Sequence, residues 1–298
     1  MALENDHFDF SESTDTTLSS RKDASLASLM WKHPSVFWGG LLLVIMVVIA
    51  IVGPMLAADP VAITPMNRLK VPSGEFWFGT DYLGRNVFSR VIYGARISLV
   101  VGLAVAVIAV VLGLIIGLVS GYIRWLDAII MRVMDGLMAI PGILLAIALI
   151  SLSGATLFTV VIAIVIPEIP RVVRLVRSVV LTVREEPYVE AAIAAGTRTI
   201  PILSRHILPN TIAPLIVQAT YICGSAMLTE SILGFLGAGI PPEIPSWGNI
   251  MSEGRTYFQL TPWIIFFPGI ALAFTVLAVN TVGDGLRDTL DPRIARKM

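Results

Sequence analysis

Apolar runs separated by short polar stretches organise this chain from Phe37 onward. A helix needs about 20 apolar residues to cross a hydrocarbon layer roughly 30 Å thick. Six segments reach that length. The first, within 36–58, carries no charge and has Trp31 and Trp38 near its start as interface anchors. The second runs uncharged from Ile97 to Ile123. The third, Ile129 to Leu152, carries Arg132 and Asp135 near its start. The fourth begins near Leu157 and passes through Pro167-Glu168-Ile169-Pro170 into a basic stripe of Arg171, Arg174 and Arg177. The fifth covers Thr211 to Phe235 and the sixth Pro262 to Val282. The pattern predicts an all-α integral membrane protein with six transmembrane helices.

Composition agrees with that class. Of 298 residues 56% are hydrophobic and only 14% charged, with a mean hydropathy of +0.83. A soluble domain of this size needs more charge to cover its surface. Net charge is zero, which gives no case for nucleic acid. The single cysteine, Cys223, lies in an apolar run and reads as a small buried hydrophobe. Residues 1–35 form a polar tail of mixed charge without the apolar core of a signal peptide.

Orientation follows from lysine and arginine. With the N-terminus inside and six spans threaded, 15 of the 21 fall inside and 6 outside. Both termini are therefore expected in the cytoplasm, with 284–298 as a cytoplasmic C-terminal tail. Residues 59–96 become a periplasmic loop broken by Pro60, Pro65, Pro72 and Gly74. Its last part, from Asp81 to Arg96, has the pattern of an amphipathic helix leading into the second span. Irregular backbone such as this must avoid lipid, as must Ala238 to Leu260 with Pro241, Pro242 and Pro245.

Between the fourth and fifth spans lies a small-residue segment, 184–209. Pro187 suits a first helical turn, and Glu185 and Glu186 suit the positive end of the dipole. Glu190-Ala191-Ala192-Ile193-Ala194-Ala195 continues the helix and Gly196 stops it. Thr199 is expected to cap a second short helix that Pro209 ends. The alanines permit close approach of another backbone, and Glu190 offers a fixed charge. A docking element and an ordinary interfacial helix fit this pattern equally from physics alone.

The match Glu190-Ala191-Ala192, Gly196, then His206-Ile207-Leu208-Pro209 resembles the signature of integral-membrane permeases of ATP-binding-cassette (ABC) importers. Phe78-Gly79-Thr80-Asp81-Tyr82-Leu83-Gly84-Arg85-Asn86, Gly94-Ala95-Arg96, Phe235-Leu236-Gly237-Ala238-Gly239 and Gly283-Asp284-Gly285-Leu286-Arg287-Asp288 look like the dipeptide and oligopeptide group, and most like its dipeptide-permease C type. Asn86 departs from that pattern, which usually has Asp. The resemblance implies a type I importer permease core of five helices, within 97–283, plus one N-terminal helix. It implies that Glu190, Ala191, Ala192, Gly196, Leu208 and Pro209 couple the chain to an ATPase. It further implies a homologous second permease, two cytoplasmic ATPase subunits that carry ATP and Mg2+, a periplasmic or lipid-anchored solute-binding protein, and residence in a bacterial inner membrane. This chain itself is expected to bind no cofactor. The solute class implied is di- or oligopeptide, with nickel complexes and glutathione as alternatives.

Charged groups at membrane depth are functional candidates. Asp135 and Arg132 are spaced for an ion pair one turn apart. Glu168 either lines a pathway or meets Arg171 or Arg174. Glu230, after nineteen uncharged residues, serves a pathway or gate, or packs between subunits. The three arginines of the basic stripe read as an orientation anchor. No phosphate-binding loop, zinc-protease, serine-hydrolase or Cys-x-x-Cys motif occurs, so no enzymatic activity is expected. The rival readings are a secondary transporter driven by an ion gradient, which needs inverted repeats and midplane ion pairs, and a scaffold subunit without transport.

Overall fold

A computed structural model describes residues 34–290. Every regular element among them is helical. Helix α1 (Pro34–Leu56) is followed by an irregular stretch with one short 3-10 turn (Pro65–Asn67) and by α2 (Val87–Tyr122). Two sequence expectations change here. Residues 81–86 are loop, and the helix starts at Val87 and runs straight into the span, so no separate amphipathic helix covers 81–96. Asn86 sets that start: its Oδ1 accepts from the Phe88 and Ser89 amides at 3.0 and 3.4 Å, the geometry of an N-cap.

The expected third span is broken. Helix α3 (Arg124–Met138) meets α4 (Gly142–Ser153) at 87°. Pro141 lacks an N–H and pushes Ile140 out of the helical region, so the chain turns there. Thr156 then caps α5 (Leu157–Arg184), exchanging hydrogen bonds with Thr159. After α6 (Pro187–Ala194) comes α7 (Thr199–Pro201), which continues through a π-helical stretch (Ile202–Ile207) into α8 (Leu208–Phe235). Helix α9 (Trp247–Arg255) starts at the Ser246–Asn249 capping box, and α10 (Trp263–Leu290) closes the fold.

Among the described residues four helices are long and apolar enough to cross a membrane: α1, α2, the run Thr199–Phe235 and α10. The bent α3–α4 pair makes a fifth if it counts as one span. Helix α5, the expected fourth span, has 28 residues but carries Glu168, Arg171 and Arg174 among its apolar positions. The six-span expectation thus becomes four or five plus a charged 28-residue helix. Helix α10 also continues past 283, so residues 284–290 extend the last helix instead of beginning a tail. Residues 1–33 and 291–298, most of the two expected tails, lie outside the described residues.

Two layers of packing hold the bundle. In the first, Gly113, Gly117 and Gly121 of α2 repeat every fourth residue against Val172, Val176 and Val180 of α5. A Cβ at any of the three would lie 2.4–2.7 Å from the facing valine Cβ, so the two backbones meet as closely as small-residue stripes allow in lipid. In the second, α2, α8 and α10 pack on α9, whose Trp247 is fully buried, and α1 joins the same apolar cluster. Its indole N–H donates to the Val91 carbonyl at 3.0 Å, fixing α9 against α2.

Candidate functional site

The segment 184–209 forms a helix, a reversal and a second helix at one end of the bundle. Pro187 opens α6, as its pattern predicts. The stop at Gly196 is a Schellman turn: the Thr197 amide bonds the Ala192 carbonyl at 3.1 Å and the Gly196 amide bonds that of Ile193 at 2.9 Å. Gly196 has φ +80°, which other residues adopt only at a cost.

Downstream the structure departs from expectation. Arg198, and not Thr199, occupies the N-cap, and Pro209 does not end a helix. Widening to the π register lets the Leu208 amide reach back five residues to the Leu203 carbonyl. The helix then absorbs a residue with no N–H. The Asn210 side-chain amide takes up the His206 carbonyl at 2.6 Å. Leu208 and Pro209 therefore sit at the root of a long spanning helix, with α6 folded back beside it.

Only Val189 of α6 is buried. Glu190, Ala191, Ile193 and Gly196 are exposed, Ala192 is half-buried, and Leu208 and Pro209 are half-buried and exposed. Tyr188 leans on the second helix through Asn210, at 3.4 Å from its hydroxyl. This is a short helix held along one edge, with its acidic and small-residue faces open.

The basic stripe of α5 has partners that local spacing concealed. Arg174 donates to Asp135 at 2.6 Å. Arg177 donates to both oxygens of Asp127, at 2.5 and 2.6 Å, and Ser120 adds a bond to the same carboxylate at 2.7 Å. Arg171 meets Glu168 at 3.3 Å. The Arg132–Asp135 pair expected from sequence is thus replaced by Asp135–Arg174, because α3 folds its acidic face back over α5. Two of these pairs tie α3 to α5, a role beyond that of an orientation anchor. Glu168 is 7% exposed and meets Arg171, one of the two partners its position allowed.

Glu230 has no exposed surface. Its Oε2 accepts from Ser98 on α2 at 3.2 Å and from Ser231 at 3.5 Å; its Oε1 has no partner. In this conformation it faces the interior of the chain's own bundle, between α2 and α8.

At the opposite end from α6 lies a charge cluster that sequence reading missed. Arg85 donates through Nε to Asp81 at 2.6 Å and Arg90 through Nη1 to the same oxygen at 2.8 Å. Both arginines also bond Glu253 of α9, with Arg90 Nη2 3.1 Å from Oε1. All four side chains are buried or nearly so. Asp81, Arg85 and Arg90 stand close in sequence, but nothing local pointed to Glu253, 163 residues after Arg90.

With this geometry in place, similarity to known proteins adds its own observations. Residues 109–296 match the family described as binding-protein-dependent transport system inner membrane component. A probable peptide ABC transporter permease of Sinorhizobium fredii is 56% identical over 266 residues, 89% of this chain and 91% of that one. A dipeptide transport system permease of Alkalihalophilus pseudofirmus is 45% identical over 250 residues, 83% and 82% of the two chains. Among solved structures, a chain of the MetNI methionine ABC transporter in an inward facing conformation superposes with a TM-score of 0.56. It is 18% identical and covers 68% of this chain and 96% of its own length. At that identity the likeness concerns the fold.

Proposed function

Because the chain belongs to the binding-protein-dependent transport system inner membrane components, we propose that it is a permease subunit of an ATP-driven importer of di- or oligopeptides. It pairs with a homologous permease, and the two enclose the translocation pathway in the bacterial inner membrane, with both termini in the cytoplasm. Two ATPase subunits bind ATP and Mg2+ and dock on α6 of each permease. A periplasmic or lipid-anchored binding protein delivers solute to the face that holds α9. The chain itself catalyses no reaction and holds no cofactor.

The observation that carries this reading is the state of α6. A helix with Glu190, Ala191 and Ile193 exposed, held along one edge by Val189 and Tyr188, is built to be covered by something else. Its reversal at Gly196 joins it to α8 through the π-helical stretch, so a push on α6 is delivered at the root of a spanning helix. Arg174 and Arg177 tie α5, the helix that enters α6, to α3. Closure of the ATPase dimer draws the two α6 helices together, and α5 and α8 move with them. The work comes from the different affinity of ATP for the two states. Glu230 is a gate position in this scheme only if α2 and α8 part, since its carboxyl is now enclosed between them. Glu168 lines the pathway only if Arg171 releases it. Peptide as the solute rests on the names of the two relatives.

Purification of the tagged chain from its native gene cluster in mild detergent tests the assembly. Recovery of a second permease and ATPase subunits, with uptake in proteoliposomes that requires ATP, is the expected outcome. A chain that purifies alone and transports down an ion gradient without ATP would replace this reading with a secondary transporter.

A further inference from the structure

A deep apolar groove runs along the flank of the bundle between α1, α2, α8 and α10. Its volume is about 720 Å³. Leucine, valine, isoleucine and alanine make up most of its lining, with Thr220 and Cys223 on the α8 side, and the only charged side chain on its wall is Arg96. On α2 the lining extends from Arg96 to Val111, on α1 from Leu43 to Ile51.

Arg96 sits at one end. Tyr93, one turn earlier, bonds the Pro54 carbonyl at 3.1 Å, close to the last residues of α1. From Ile97 to Ile123 no charge follows. Arg96 therefore marks the edge of the hydrocarbon layer, where a long basic side chain extends toward the headgroups. It is exposed. It makes no ion pair and no side-chain hydrogen bond among the described residues, in contrast to Arg85 and Arg90 just before it.

We propose that this groove is a binding site for an anionic membrane phospholipid. The phosphate sits on the Arg96 guanidinium and an acyl chain lies along α2 toward Val111.

Two observations favour that occupant. The groove is apolar along its length and cationic at one end, which is the charge distribution of an anionic lipid inverted. From Arg96 to Val111 is about 22 Å at 1.5 Å per residue, about the depth of one leaflet with its headgroup. The groove admits extended hydrocarbon along its length.

The inference needs only membrane residence. Its test reads lipid, not transport, so it can fail while the importer reading stands, and the reverse. The complex is purified with its partners and its retained lipid identified by native mass spectrometry, after exchange into mixed phosphatidylglycerol and phosphatidylcholine vesicles. Wild type should retain phosphatidylglycerol enriched about fivefold over the bulk. Arg96→Gln should return the ratio to that of the bulk. Val107→Trp, at an exposed wall position where folding is little affected, should reduce the retained amount of both lipids. A photoreactive residue at 107 should capture lipid. An absence of enrichment in wild type, an unchanged ratio in Arg96→Gln, or capture of the second permease from position 107 would each overturn the proposal.

Discussion

At one end of the bundle Asp81, Arg85, Arg90 and Glu253 are sealed between the start of α2 and α9; at the other, α6 rests on Val189 and leaves Glu190, Ala191 and Ile193 uncovered. Both ends carry charge, but they use it differently. The quartet spends its hydrogen-bonding capacity inside the chain, with each carboxylate meeting both guanidinium groups. Such a cluster fixes one geometry, and its cost appears when a single member is removed. The charges around α6 are exposed and few are engaged, so they add little to stability and remain free for a partner. A permease that must move at one end and keep its shape at the other has reason to divide its charges in this way.

The sharpest way to break this contrast is at the quartet. Glu253→Ala leaves Arg85 and Arg90 buried with Asp81 as their only acid, so a loss of about 3–5 kcal/mol is expected, read as denaturant unfolding in detergent. A loss under about 1 kcal/mol, the range of exposed pairs, would erase the difference between the two ends.

Next in size is the helix contact that joins them. A side chain at position 117 would meet Val176 at 2.7 Å. Gly117→Val should destabilise by about 1–3 kcal/mol through overpacking. Gly136→Ala on α3, where nothing lies within 4 Å of the new Cβ, should be neutral or slightly stabilising. Equal effects of the two in the same unfolding assay would contradict the close α2–α5 approach.

At the open end the expected costs are smaller. Gly196→Ala meets no neighbour, so only the positive φ opposes it, at about 1 kcal/mol. A loss of several kcal/mol there would mean that α6 is packed more tightly than its exposure indicates. Arg174→Gln breaks a pair whose two side chains are 44% and 53% exposed. It should cost less than about 1 kcal/mol, with salt masking the difference. A salt-independent loss would place the α3–α5 tie in a drier setting.

Much of this architecture was legible from residue order, and the failures have physical causes. Helices α1, α2, α8 and α10 each contain a long apolar run, which hydropathy detects directly. The α3–α4 bend is invisible to hydropathy because Ala139-Ile140-Pro141 is itself apolar; only the proline signals it. Pro209 read as a helix end because a π-helical stretch that bypasses its missing N–H has no local signature. Asp135 was assigned to Arg132 on one-turn spacing, and its partner Arg174 came from another helix 39 residues away. Glu253 was passed over for the same reason. The reversal at Gly196 was readable, since a glycine after an alanine helix marks a left-handed cap. The exposure of Glu190 and Ala191 was not, because an alanine-rich helix is equally suited to burial.

The central claim is that α6 passes work from an ATPase to the spanning helices, and Glu190→Arg tests it most directly. The residue is exposed and its side chain makes no hydrogen bond or ion pair among the described residues, so the unfolding free energy should not change beyond about 0.5 kcal/mol. In the reconstituted complex, hydrolysis of ATP stimulated by the loaded binding protein should fall to the unstimulated rate, and uptake should cease. A variant that hydrolyses ATP and imports solute at the wild-type rate would contradict the account.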